Sequence, residues 1–425
     1  MKQEKNSKYL KVSLMACFAA FLIGIMGYYS LRSFNSPIKV GILHSLTGSQ
    51  AFSEKPMVDA ELMAIEEINK TGGLLSRSLV AVVADGKSDE NIFAQEAERL
   101  INQEKVSVII GCWTSASRKA VKAIVEKHNN LLVYPVSYEG LEDSPNIFYI
   151  GANQNQQIVP SVVWSYYNLG KKFFLVGSDY IFSHTANAII KATLSSMQGE
   201  LAGEEYILLG STNVQNMIQK IKEAEPNVIL NTIQGESNLA FFKELRAQGL
   251  TPEKFPVMSI SSVSETEFAQ IGASAMAGDY VTASYFQSIE RDANTIFISN
   301  FKRRYGADRV ISESIESAYV GLHLWAQAAA VAQTYTPGQV RKHLVNRVMN
   351  APSGIVYSDN IMNDMWKMVF VGKLRSDGQF TIIWNSEKQV QPLNYPIFSE
   401  KKKWDEFVSN LYQQWGGSWS NTRAQ

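Results

Sequence analysis

Short, continuously apolar runs alternate along this chain with stretches in which apolar positions recur every three or four residues. Ile38 to Leu43 reads as a strand, and Val58, Leu62, Ile65 and Ile68 then fall on one helical face until Gly72-Gly73 ends it. Leu79 to Ala84 followed by Phe93, Ala94, Ala97, Leu100 and Ile101 repeats the unit. Val106 to Ile110 followed by Val121, Ile124 and Val125 repeats it again, before Leu131 to Tyr134. The pattern restarts with strand-like runs at Lys172 to Gly177, Asn227 to Leu230 and Phe255 to Met258. Helical segments lie near His184 to Gln198, Asn213 to Ala224 and Leu239 to Gln248. Strands that are apolar throughout are buried on both faces, so the spacing predicts parallel sheets covered by helices. Two successive α/β halves of similar size imply two lobes with a cleft between them, a preferred place for a small ligand. Further on, Phe297 to Tyr305 and Glu316 to Gln333 are predicted helical. Met365 to Leu374 and Phe380 to Trp384 are predicted to form a hairpin around Ser376-Asp377-Gly378. Ser399 to Gln425 reads as a polar tail with scattered tryptophans, docked on the surface or partly mobile.

The amino end changes the picture of where this fold works. Lys2, Lys5, Lys8 and Lys11 precede a nearly uncharged run from Val12 to Leu31, about the 20 residues that span a bilayer, with the lysines on the cytoplasmic side. Everything after Arg32 is then extracytoplasmic. The run exceeds a signal-peptide core and lacks a clean Ala-x-Ala site, which favours a retained anchor over cleavage. Cys17 sits at the start of the run, the wrong place for lipid attachment.

Composition narrows the function classes. The 40 basic and 40 acidic residues cancel, so no global field gathers nucleic acid. A small neutral or zwitterionic partner fits better. Cys112 stands alone in the exported part, which excludes an intrachain disulfide there and reads as a small buried residue. No phosphate loop, Gly-x-Gly-x-x-Gly, Gly-x-Ser-x-Gly or His-Glu-x-x-His motif occurs, and the 5 histidines are scattered. No catalytic, metal or cofactor site is therefore expected. An amide hydrolase is the least supported class, for want of a nucleophile and its base.

Polar and aromatic residues gather instead where strands end. His44-Ser45-Leu46-Thr47-Gly48, Asp85 to Asp89, Trp113-Thr114-Ser115 and Tyr134 to Gly140 follow the strands of the first half. Ser178 to Phe182 and Asn231 to Glu236 follow those of the second. Any one such segment is explained equally well by helix capping and tight turns. Their repetition at six strand ends points to a pocket in which rings exclude water and single polar groups orient a small polar molecule.

At these residues the chain resembles the type I periplasmic substrate-binding proteins, in particular their urea and short-chain amide branch. Gly111 to Val121 (GCWTSASRKAV) is the most specific stretch, supported by Lys39 to Gly48, Tyr134 to Gly140, Gly177 to Tyr180 and Asn231 to Asn238. The resemblance implies two Rossmann-like lobes joined by three crossovers, with a ligand cleft at the hinge. It implies residues 1–36 as signal peptide or anchor, 37–152 and 287–350 as lobe one, 153–286 and 351–398 as lobe two, and 399–425 as a C-terminal tail. By motif position, Trp113, Thr114, Ser115, Tyr134, Val136 and Ser137 would line the cleft on lobe one. Tyr180, Phe182, Gly235, Glu236 and Tyr285 would complete it. Ser115 and Tyr180 hydroxyls would hold the ligand carbonyl, with Glu236 or Asn155 accepting amide N–H groups. Trp113, Val136 and Phe182 are closer to urea-binding than to amide-binding members. Ser137 departs from a glutamine common in urea binders, Gln154 replaces a usual proline, and Lys87 stands in a usually uncharged turn. The function implied is capture of urea or a related amide for the permease subunits of an ABC importer. A membrane-tethered amide sensor and a branched-chain amino acid binder are the alternatives.

Overall fold

The computed structural model describes residues 36–260, 272 and 276–421. The expected anchor or signal segment lies outside the described residues, and among those described no helix is long and apolar enough to cross a membrane.

Lobe one is built on five parallel strands: β1 (Ile38–His44), β2 (Leu79–Asp85), β3 (Ile109–Gly111), β4 (Leu132–Tyr134) and β5 (Ile147–Tyr149), in the order β2-β1-β3-β4-β5. Helices α1 (Ala51–Lys70), α2 (Glu90–Asn102) and α3 (Ser115–Lys127) connect them. The Asp89 side chain accepts from the backbone N–H groups of Asn91 and Ile92, and Thr114 accepts from that of Ser117. Each cap stabilises its helix start by about 1 kcal/mol and fixes where the strand-end turn stops.

Lobe two repeats the scheme with β6 (Lys172–Ser178), β7 (Glu200–Ile207), β8 (Val228–Thr232), β9 (Val257–Ile260) and β10 (Tyr280–Ala283). These are served by α4 (Ile158–Asn168), α5 (Ile181–Ser196), α6 (Gln215–Ala224) and α7 (Glu236–Ala247). The chain then returns to lobe one through α8 (Asp292–Tyr305) and α9 (Glu313–Ala332). Val320, Leu324, Trp325 and Ala328 of α9 share a core with Val40, Ile42, Val108 and Ile110. After the short α10 (Pro337–Val340), a small antiparallel sheet follows, made of β11 (Val348–Ala351), β12 (Gly354–Ser358) and β13 (Met365–Trp366). Finally β14 (Phe370–Leu374) and β15 (Phe380–Asn385) join lobe two, completing the order β15-β14-β10-β9-β8-β6-β7.

The two-lobe α/β architecture is as the pattern predicts, and the hairpin around Ser376-Asp377-Gly378 is antiparallel β14–β15. Four details differ. The stretch Met365 to Leu374 is two strands in two sheets rather than one. The third strand starts at Ile109 because Val106 N–H is drawn to Leu100 O, which closes a turn after α2. Strands β5, β7, β10, β11 and β12 and helix α4 were not expected. β5 is only three residues long, and β7 is an edge strand carrying Glu200, Glu204 and Glu205. Part of the expected tail is helical: α11 (Lys401–Gln414) buries Trp404, Val408 and Leu411, with Trp415 after it, against α5. Their spacing of four, three and four residues is a helical stripe.

Candidate functional site

The strand order of each sheet reverses once, between β1 and β3 in lobe one and between β6 and β8 in lobe two. A crevice at the carboxyl ends of the strands opens at such a switch point. Here the two switch points face one another. Gln50, in the loop after β1, lies against Gly235, in the loop after β8: a Cβ on Gly235 would stand 2.6 Å from Gln50 Nε2. Gly235 has φ +62° and ψ −145°, a conformation closed to residues with a side chain. Ala116 of α3 packs in one apolar cluster with Ile181 and Phe182 of α5, so the lobes meet in a closed arrangement.

A buried charge network forms the floor of lobe one. Arg118 donates from Nη2 to Glu139 Oε1 at 3.0 Å, from Nη1 to Ser115 Oγ at 3.0 Å and from Nε to Glu142 Oε1 at 3.1 Å. Ser115 Oγ donates in turn to Glu139 Oε2 at 2.6 Å, and Lys119 Nζ to Glu142 Oε2 at 2.9 Å. The guanidinium lies 4.9 Å and 5.0 Å from the ring centres of Tyr134 and Tyr138. Burial alone would raise the Glu142 pKa, but Lys119 and Arg118 outweigh it and hold the carboxyl well below its usual range. Tyr180 of lobe two is buried over this network, and its hydroxyl pKa is raised first by burial, then by Glu139 and Tyr134.

A second network supports the β1 loop. His44 bridges Glu54 Oε2 (3.1 Å) and Glu61 Oε1 (2.9 Å), and Glu54 Oε2 also accepts from Ser45 N–H. Burial would lower the His44 pKa; the two carboxylates overcome this and raise it to about 10, so the imidazole is cationic. The Cys112 thiol is buried and pushed up by burial and by Glu54, which makes it inert.

Between these networks and lobe two lies a cavity of about 200 Å³. Ser45, Gln50, Glu54, Thr114 and Ser117 line it from lobe one, Leu208 and Leu209 from lobe two, and Ser418, Ser420 and Asn421 from the C-terminal segment. That segment crosses both lobes. Ser418 Oγ and Trp419 N–H donate to Glu90 on lobe one; Ile181 N–H donates to Trp419 O, and Asn421 Nδ2 to Asp179 Oδ2, on lobe two.

Of the residues singled out in the sequence, Ser115, Tyr134 and Tyr180 converge on the Arg118–Glu139 pair. Trp113, Tyr134 and Val136 are buried in one apolar cluster with Cys112 and Tyr138, and Tyr134 OH donates to Trp113 O. Ser137 is buried after β4, and Phe182 sits at the lobe contact. Glu236 is exposed in the first turn of α7. Asn155 bonds Gln391 and Leu393, and Tyr285 OH donates to Asn294, so these side chains are occupied at the crossovers.

The family model described as a periplasmic binding protein domain matches residues 38–401. The chain belongs to this family. A Leu/Ile/Val-binding protein homolog of Brucella suis is 22% identical over 389 residues, covering 85% of this chain and 95% of that protein. A limonene hydroxylase of Geobacillus stearothermophilus is 31% identical, but over 120 residues only, 22% of its length. Among solved structures, an ABC transporter solute-binding protein from R. palustris in complex with 4-hydroxybenzoate aligns at TM-score 0.76. It shares 21% identity, over 84% of this chain and 98% of that one. A branched-chain amino acid transporter substrate-binding protein from Streptococcus pneumoniae, in complex with isoleucine, aligns at TM-score 0.72 and 21% identity, covering 84% and 100%. The strap residues 415–421 fall beyond the family match.

Sequence reasoning missed Gln50, the pairing of Arg118 with Glu139, and the strap. Arg118 and Glu139 stand within the quoted motifs, but their sequence separation of 21 residues carries no hint of contact. Gln50 had no signal beyond its place after a strand-end glycine.

Proposed function

We propose that this protein is an extracytoplasmic solute-binding protein that captures urea or a related short-chain amide and delivers it to the permease of an ABC importer. The absence of any Lys, Arg or His from the described lining of the cavity supports this most directly. The donors of Arg118 and Lys119 are directed at Glu139, Glu142 and Ser115. Glu54, Asp89 and Glu90 all border it, so a carboxylate ligand would enter without a counter-cation and against like charge. A neutral molecule rich in N–H donors meets no such penalty. The role is reversible binding with lobe closure, and the closed form is what a permease would recognise.

Isothermal titration calorimetry of residues 36–425 with urea, acetamide and leucine tests this. Heat with the amides and none with leucine is the expected result, and heat with leucine alone overturns the amide assignment. The second reading, a branched-chain amino acid binder, is favoured by the names of the Brucella and Streptococcus relatives and predicts that opposite result. Sustained release of ammonia from urea would overturn a pure binding role.

A further inference from the structure

Gln50 is 1% exposed, yet neither its Oε1 nor its Nε2 has a hydrogen-bond partner. A buried amide without partners is costly, so natural proteins keep one where something else completes it. Gln50 lines the cavity at the switch point of lobe one, and the Gly235 backbone of lobe two covers it on its other side. Its neighbours around the cavity already have partners. Ser45 Oγ accepts from Ser88 N–H, Ser117 Oγ donates to Thr114 O, and Glu54 is held by His44. The buried polar atoms of the described lining that have no partner are thus the Gln50 amide, with two N–H donors and a carbonyl acceptor, and Glu90 Oε2.

We propose that Gln50 is the specificity-determining residue of the cleft, forming a paired hydrogen bond with a ligand that itself carries a carbonyl beside an N–H. Nε2–H donates to the ligand carbonyl while Oε1 accepts from the ligand N–H, the complementarity of one primary amide for another. A carboxylate satisfies only the Nε2 half and leaves Oε1 facing an anionic oxygen. An alkyl chain satisfies neither half. The cavity of about 200 Å³ is several times the ~30 Å³ share of one water molecule, so it admits a substituted amide or urea as well as urea itself. The assignment rests on the solute-binding role proposed above and adds the group that chooses the ligand.

Calorimetry of wild type, Gln50→Met and Gln50→Glu with acetamide, urea and acetate tests it, with thermal unfolding of each variant without ligand. Methionine keeps the length and removes both polar atoms; glutamate keeps an acceptor and removes the donor. The expected result is a loss of at least tenfold in amide affinity for both variants, with the unliganded melting temperature of Gln50→Met unchanged or raised. A purely structural glutamine would instead lower that temperature. Amide binding by wild type that is undiminished in Gln50→Met overturns the role of Gln50 alone. Absence of amide binding by the wild type overturns the amide ligand class and this assignment with it.

Discussion

Arg118 has a fully buried guanidinium whose charge is met by two buried carboxylates, and removing one partner strands the others. Glu139→Gln is expected to destabilise the protein by about 3–5 kcal/mol, read from the urea unfolding midpoint at constant slope. Gly235→Ala forces a side chain into a backbone conformation reserved for glycine and against the Gln50 amide. A loss of about 1–3 kcal/mol is expected on the same measurement, together with weaker ligand binding. His44 gives a pH signature. Its folded pKa of about 10 lies above the unfolded value near 6.5, so its contribution is complete below about pH 6.5 and fades as pH rises through 10. Asp364, raised by burial to about 8, acts in the same direction: its stabilisation is full below about pH 4 and declines as pH rises towards 8. Stability measured from pH 6.5 to 10 is expected to fall, and less steeply in His44→Gln; identical slopes would remove His44 from the account.

At the scale of elements, the strap after α11 ties the lobes through Glu90 on one side and Asp179 and Ile181 on the other. Truncation after Gly417 removes the carbonyl that accepts from Ile181 N–H, so faster hydrogen exchange at that amide and faster ligand release are expected. Unchanged exchange would mean that the strap carries no share of the contact. Helices were the elements best announced by the sequence, because a periodic apolar face is a local signal, and Asp89 and Thr114 write their caps in place. The α11 stripe was equally local, but tryptophans spread through a polar tail obscured it. Edge strand β7 and the three-residue β5 carry too little pattern of their own, since pairing partners distant in sequence decide them.

For the whole molecule, the lobe contact seen in Tyr180, Gly235 and the strap describes a closed cleft, and closure is what a bound ligand would favour. A smaller radius of gyration and a higher melting temperature on adding a binding amide are the expected solution readouts. The radius of gyration would not change if the lobes were locked regardless of ligand, whereas the melting temperature would still rise with binding. The sequence by itself determined the alternation of apolar strands and amphipathic helices, and hence two doubly covered parallel sheets, because burial on both faces demands that pattern locally. It also placed Ser115, Tyr134 and Tyr180 at strand ends. Only the tertiary structure decided which of these meet. Sheet order sets two switch points against each other, and that juxtaposition, encoded in no short stretch of chain, brings Gln50 to Gly235, Arg118 to Glu139 and the C-terminal strap across both lobes. Contacts between residues far apart in sequence depend on the whole packing of the chain, which local periodicity does not record.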